Sequence, residues 1–284
     1  LTYALYKYKP IETFEHQTNL DRWDQSDADV STFLLDDDAW IGNNSCKYTH
    51  AANTNAGRII RYLEKEEDLF TNWTYLFTCF KSDTALAHSG SEGFGISDDG
   101  GTTVDWWFPD CVAANTWYFD KGTLASPDTA SGAGDNELRS VDSIIYENNN
   151  NASTIYLDFA CVAELEIAFN DSTKKVGSPI QISYNQDTAE IKSQNSGGAV
   201  VHLSHDTKQL TLNLLLRDTS HWTHLCKLME MKNKGTPYLL ETDMWILPVV
   251  IKSIDFSDVA RSITVNVEGN YYYVSMKLEE YLGD

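Results

Sequence analysis

The residues able to do chemistry are abundant, but few stand in a working pattern. The chain holds 42 Asp and Glu residues, so carboxylate pairs arise everywhere. Glycoside cleavage needs two carboxyls across a cleft, about 5–5.5 Å or 6.5–9.5 Å apart, and spacing along the chain fixes no such pair. Asp36-Asp37-Asp38 and Glu64 to Asp68 read as solvated charge runs. His202 and His205 lie three apart on a strand-like run and face opposite sides. His221 and His224 share a helix face without a supporting carboxylate or thiol, and read as surface or structural histidines. No GxSxG, HExxH, phosphate-loop or dinucleotide fingerprint occurs, and Gly93-Phe94-Gly95 lacks a third glycine and a following helix. The EF-hand pattern is also missing. The expectation is a protein without catalytic residues.

The aromatics say more. Trp106 and Trp107 are adjacent, so on a strand one points inward and the other outward. An outward Trp beside Asp105 and Asp110 suits contact with a ligand. A sugar offers an apolar C–H face and a rim of hydroxyls, which an aromatic plate flanked by carboxylates and amides complements. Trp40, Tyr48, Trp106 and Trp107 are the candidate glycan-binding residues. The competing reading places both tryptophans of the pair in the core.

Composition narrows the classes. The chain has 284 residues, of which 42% are hydrophobic and 12% aromatic, enough for a sizeable core. Its net charge is -21. That field repels phosphates and anionic lipids, which argues against nucleic-acid binding. No apolar run approaches the roughly 20 residues of a bilayer span, so no membrane insertion is expected. Residues 1–163 carry -16 of the charge and residues 164–284 carry -5, a step that suggests two units. The five cysteines, Cys46, Cys79, Cys111, Cys161 and Cys226, form no CxxC pair, against a structural zinc site or a dense disulfide framework. Sequons begin at Asn43, Asn72, Asn151 and Asn170, which an Asn-rich chain also produces by chance.

The elements that must position these residues are nearly all strands. Arg58–Leu63, Trp73–Lys81, Gly93–Ser97, Thr103–Phe108, Trp117–Lys121, Val141–Glu147 and Thr154–Val162 are rich in β-branched and aromatic residues, with turn clusters between them. This spacing predicts a sandwich or barrel. Asp24 to Asp38 reads as an acidic, irregular loop. After Ala163, strands are expected at Ile180–Tyr184, Thr188–Lys192, Ala199–His205 and Gln209–Arg217, with a hairpin turn at Asn195 to Gly198. One helix follows, capped near Asp218–Ser220, with Trp222, Leu225 and Leu228 or Met229 on its apolar stripe and Gly235 with Pro237 as its stop. Strands return at Tyr238–Glu241, Trp245–Phe256, Ser262–Glu268 and Tyr271–Tyr281.

Two resemblances follow from these residues. Phe14-Glu15, Trp23, Ala56-Gly57, the Trp-led strand Trp73–Lys81 ending at Asp83, and Thr154-Ile155-Tyr156-Leu157-Asp158 make residues 11–163 resemble the jelly-roll carbohydrate-binding modules that accompany secreted glycosidases. The resemblance implies a structural calcium held by Glu15 and Asp158, although Phe159 stands where the family has a second acid. The start at Gly177, the alternating strand Leu210–Leu216, the helix from Ser220, the segment Gly235 to Leu240 and the closing strand Tyr271–Tyr281 make residues 164–284 resemble the β-sandwich-plus-helix domain of tail-tube and distal-tail (baseplate) proteins of long-tailed viruses. That resemblance implies assembly as rings. Residues 1–10, alternating like a strand, are expected to pair with this second domain.

The combined expectation is an all-β chain: a jelly-roll β-sandwich plus a second β-sandwich domain with one flanking helix. Its expected role is a non-enzymatic virion tail component, self-assembling as a symmetric homo-oligomer among neighbouring tail proteins and touching a host surface glycan. The alternative is a secreted, extracellular carbohydrate-binding accessory module of a polysaccharide-degrading system.

Overall fold

The structure is a computed structural model. It describes residues 3–24, 30–51, 57–85, 92–109, 113–129, 137–148, 153–169, 174–176, 181–193, 196–216, 221–242, 245–259 and 271–281. The expected strand Ser262–Glu268 lies outside these residues. The chain divides into two compact units, Tyr8–Glu164 and Leu1–Lys7 with Leu165–Asp284.

In chain order the first elements are β1 (Tyr3–Glu12), the single helical turn α1 (Gln17–Leu20), β2 (Trp23–Asp24), β3 (Val30–Asp36), β4 (Ser45–His50), β5 (Gly57–Glu67), β6 (Tyr75–Ser82), β7 (Glu92–Ser97), β8 (Asp105–Trp107), β9 (Trp117–Thr123), β10 (Val141–Asn148) and β11 (Thr154–Phe169). Within Tyr8–Glu164 they form two antiparallel sheets. One runs β3-β4-β11-β6-β9 and the other β2-β5-β10-β7-β8. This is the jelly-roll sandwich. Alternation sends one set of side chains from each sheet into a shared core. Tyr48, Phe80, Ile155 and Leu157 come from the first sheet, and Ile59, Phe94, Ile96, Trp107, Ile144 and Tyr146 from the second.

A charged group lies inside that core. Glu12 is buried and accepts hydrogen bonds from Thr13 N (2.9 Å), Asn19 Nδ2 (2.9 Å), Trp23 Nε1 (3.0 Å) and Arg61 Nη1 (2.8 Å). With Phe14 N at 3.4 Å these are five donors, one of them cationic, and together they offset the cost of burying a carboxylate.

The remaining elements are β12 (Lys174–Val176), β13 (Gln181–Ser193), β14 (Ser196–Leu216), α2 (His221–Lys234), β15 (Tyr238–Glu241), β16 (Ile246–Val259) and β17 (Tyr271–Glu280). The described strands of the second unit join one antiparallel sheet in the order β12-β14-β17-β16-β15-β1, with β13 also paired to β14. Helix α2 packs on β16 and buries Leu225, Leu228 and Met231. Met229 is 40% exposed, so Leu228 holds the stripe position that sequence left open between the two. Gly235 ends the helix at φ +64° and donates its N–H to Lys232 O at 3.1 Å, the left-handed cap glycine supplies cheaply.

One expectation needs correction. Val30–Asp36 is a strand at a sheet edge, not an irregular loop. The closing strand β17 pairs with β14 on one side and β16 on the other. Val274, Met276, Leu278 and Glu280 are buried on one face, while Ser275, Lys277 and Glu279 on the other are partly or fully exposed.

Candidate functional site

The second sheet of the Tyr8–Glu164 unit carries an aromatic platform on its outer face. Strand β8 pairs with β7, placing Trp107 opposite Phe94 and Trp106 opposite Gly95. Trp107 points inward, is 2% exposed and packs in the core. Trp106, one residue earlier, must point outward, and is partly exposed. Phe108 follows on the same face. The two rings are nearly parallel, with planes 10° apart and centroids 6.4 Å apart.

Glycine makes this arrangement possible. A Cβ at Gly95 would stand 2.8 Å from the Trp106 ring, and one at Gly93 would stand 2.9 Å from the Phe108 ring. The rings thus lie against bare backbone of β7, an approach that any larger residue blocks. Backbone bonds fix the strand beneath them. Trp106 N donates to Thr129 O at 2.9 Å, Asp128 N donates to Trp106 O at 2.9 Å, and Phe108 N donates to Asp128 Oδ2 at 2.8 Å.

Polar groups surround the platform. The Arg58 guanidinium lies over the Trp106 ring at 5.6 Å and pairs with Glu147. Arg58, Glu147 and Gly93 sit side by side across β5, β10 and β7. Tyr62, four residues along β5 and so on the same face, is 54% exposed. The turn after β7 is held by Asp99, which accepts from Thr102 N (2.9 Å), Thr103 N (2.8 Å) and Thr103 Oγ1 (2.8 Å). Thr103, and after it Ser97 and Thr102, hold the Asp99 carboxyl below its ordinary range by hydrogen bonding to its charged form. Flat apolar rings, a guanidinium, carboxylates and a phenol together can stack a sugar ring and bond its hydroxyls.

Of the four glycan candidates, Trp106 alone lies here. Tyr48 is a correction: it is fully buried in the sandwich core, and its hydroxyl donates to Gly57 O. Trp107 is the second, for the same reason, with Nε1 donating to Thr123 O at 3.2 Å. Neither has a face to offer a ligand. Trp40 is partly exposed but packs edge-to-face on Phe119 of β9, in the other sheet, at 5.5 Å. Sequence reasoning missed Phe108, Arg58, Glu147 and Tyr62. Their signal was the Gly-x-Gly of β7, which was weighed only as a phosphate loop.

The outer face of the first sheet differs. Trp117, Lys81, Tyr156, Lys47 and Leu34 align across all five strands. Lys81 stands over the Tyr156 ring at 4.2 Å and the Trp117 ring at 5.1 Å, and Lys47 over Tyr156 at 5.4 Å. Asp38 pairs with Lys81 and Asp36 with Lys47. As Arg58 does at Trp106, these ion-paired lysines sit over the rings. What differs is that, among the described residues, no glycine lets the rings of this face close onto bare strand backbone.

Glu15 and Asp158 converge on one loop. Asp158 Oδ2 accepts from Trp40 N at 2.6 Å and Ile41 N at 2.7 Å, and Glu15 Oε2 accepts from Asn43 N at 3.1 Å. Between them Gly42 has φ +69°, and a Cβ there would stand 1.8 Å from Glu15 Oε1. Both carboxylates are buried. Among the described residues no three His, Cys, Asp or Glu side chains group as metal ligands. Two carboxylates are hard oxygen donors of the kind calcium takes, and here they already accept backbone N–H groups of the loop. Cys46 and Cys161 are buried, and burial pushes both thiols well above the usual range, which disfavours the thiolate form that binds metal.

No family model matches the chain, and no curated protein matches it. Among solved structures it is similar to a family 11 carbohydrate-binding module of Clostridium thermocellum in complex with a β-1,3-1,4-mixed-linked tetrasaccharide. That likeness has 16% identity and a TM-score of 0.39, over 56% of this chain and 98% of that one. A family 11 module of the cellulosomal cellulase Lic26A-Cel5E of the same organism has 17% identity and a TM-score of 0.41, over 57% and 97%. An exo-β-agarase has 12% identity and a TM-score of 0.41. The likeness to the agarase spans 56% of this chain and 25% of the agarase. The tail-protein resemblance has no counterpart among these.

Proposed function

We propose that the chain is a non-catalytic glycan-binding protein, with the sugar seated on the outer face of β5, β10, β7 and β8. The observation that carries this reading is the parallel Trp106–Phe108 pair held close against Gly93 and Gly95. Two glycines in β7 weaken a strand, and their compensation is room for two aromatic rings on its outer face. Trp106 and Phe108 stack the C–H face of a sugar, while Arg58, Glu147 and Tyr62 bond hydroxyls. Calorimetric titration of the full chain with the β-1,3-1,4-mixed-linked tetrasaccharide and with agarose oligosaccharides tests the reading. Absence of heat with both, and no retardation in gels containing the parent polysaccharides, would count against it.

Calcium belongs to the same proposal as a structural ion. Glu15 and Asp158 would hold it, and its charge would balance two carboxylates that already tie residues 40–43 by hydrogen bonds.

The setting proposed for this activity is extracellular, as an accessory module. The second reading, a virion tail component, rests on the sequence resemblance of residues 164–284 alone. A ring-shaped particle seen by electron microscopy of the purified protein would favour the tail; a monodisperse monomer would favour the accessory module.

A further inference from the structure

A cleft of about 380 Å³ opens elsewhere on the Tyr8–Glu164 unit, lined by Phe70, Thr71, Asn72, Trp73, Thr74, Ala125 and Glu164. None of these residues belongs to the Trp106 platform. The volume lies in the lower part of the range for small-molecule sites, about 300–1,000 Å³, which suits one sugar ring better than a chain.

The walls are fixed from behind. Phe70 and Trp73 pack against the sandwich core, so their rings are held in place while remaining partly exposed. Asp68 pins the turn, accepting from Phe70 N at 2.9 Å, Thr71 N at 2.8 Å and Thr71 Oγ1 at 2.6 Å. Thr74 N donates to Ala163 O at 3.1 Å, and Leu124 N donates to Thr74 O at 2.9 Å. The Thr74 hydroxyl donates to Glu164 Oε2 at 2.5 Å and so orients that carboxylate. A cleft with two aromatic rings, one amide, two hydroxyls and one aimed carboxylate has the composition of a sugar site. The Glu164 carboxylate lies in the lining, while the Arg139 guanidinium stands over the Phe70 ring at 5.4 Å. The hydroxyl-bonding end of the cleft is the acidic one, and a carboxylate placed beside Glu164 would meet repulsion that a neutral sugar would not.

We propose that this cleft is a separate binding site for a single uncharged hexose, such as the free end of a glycan chain. Trp73 stacks the C–H face, and Glu164 with Asn72 takes the hydroxyls. The proposal goes beyond the platform and stands or falls without it.

The test is tryptophan-indole NMR of the full chain titrated with D-glucose, D-galactose and D-glucuronate, with the Trp73 signal assigned through Trp73→Phe. A neutral hexose is expected to move the Trp73 signal. Trp73→Ala and the near-isosteric Glu164→Gln are expected to weaken that binding about tenfold or more, with Trp106→Ala leaving it unchanged and glucuronate failing to bind. A Trp73 signal unmoved by both neutral hexoses overturns the proposal. So does a shift that survives Glu164→Gln undiminished in a variant with unchanged circular dichroism, or one that disappears in Trp106→Ala. Loss of polysaccharide binding in Trp106→Ala with the Trp73 response intact separates the two sites.

Discussion

At the scale of single residues, the account turns on which aromatic faces out. Trp106→Ala should cost about 1 kcal/mol or more of glycan affinity, since the ring supplies the stacking surface. Titration calorimetry reads this, with an unchanged melting temperature as the control. Tyr48→Phe should do the opposite. It removes a buried hydrogen bond to Gly57 O, so stability should fall by about 1 kcal/mol with glycan affinity unchanged. Glu12→Ala should be far more damaging, about 3–5 kcal/mol in a denaturant melt, because it leaves the Arg61 guanidinium without its buried counter-charge. Sequence established that Trp106 and Trp107 face opposite ways, but the phase of β8 was not legible. That phase is set by Phe94 and Gly95 across the pair, a contact between residues more than ten positions apart. Tyr48 was misjudged because its strand, short and half polar, was not recognised; an aromatic on an unrecognised strand has no assignable side.

At the scale of elements, loops held by carboxylates should respond to acid. Asp99 has a lowered pKa from its bonds to Thr103, Ser97 and Thr102. A depressed carboxylate contributes stability above its unfolded pKa, about 3.9, and loses it as pH falls through the folded value. The turn of residues 97–103 should therefore keep its amide protection at pH 5 and lose it well below pH 4, as hydrogen exchange would detect. Protection that vanishes already at pH 5 would contradict the assignment. The calcium proposal predicts that chelator lowers the melting temperature and that Glu15→Ala abolishes the difference. An identical melt with and without chelator would remove the ion but leave the carboxylate clasp. Helix α2 was legible because its stripe and Gly235 stop are local signals; the expected cap at 218–220 lies outside the described residues. Strand β3 was not. Its residues Val30 to Asp36 sit at a sheet edge, only partly buried, so its alternation is blurred by Ser31, Thr32 and the acidic run that follows.

At the scale of the whole molecule, composition and turn spacing made the all-β class legible, since strand alternation is written in local residue types. The platform was not, because only β7 and β8 are consecutive; β5 and β10, which bring Arg58, Tyr62 and Glu147 beside them, join by sheet order. The central claim is that the outer face around Trp106 and Phe108 binds glycan. The most direct measurement is affinity electrophoresis of the full chain beside Gly95→Val, across gels containing mixed-linkage β-glucan or agarose. A side chain at position 95 must push Trp106 off its seat. The account predicts retardation of the native protein in at least one gel and its loss in a Gly95→Val variant that still melts cooperatively. Equal retardation of the two proteins, or none for the native chain in either gel, would contradict it.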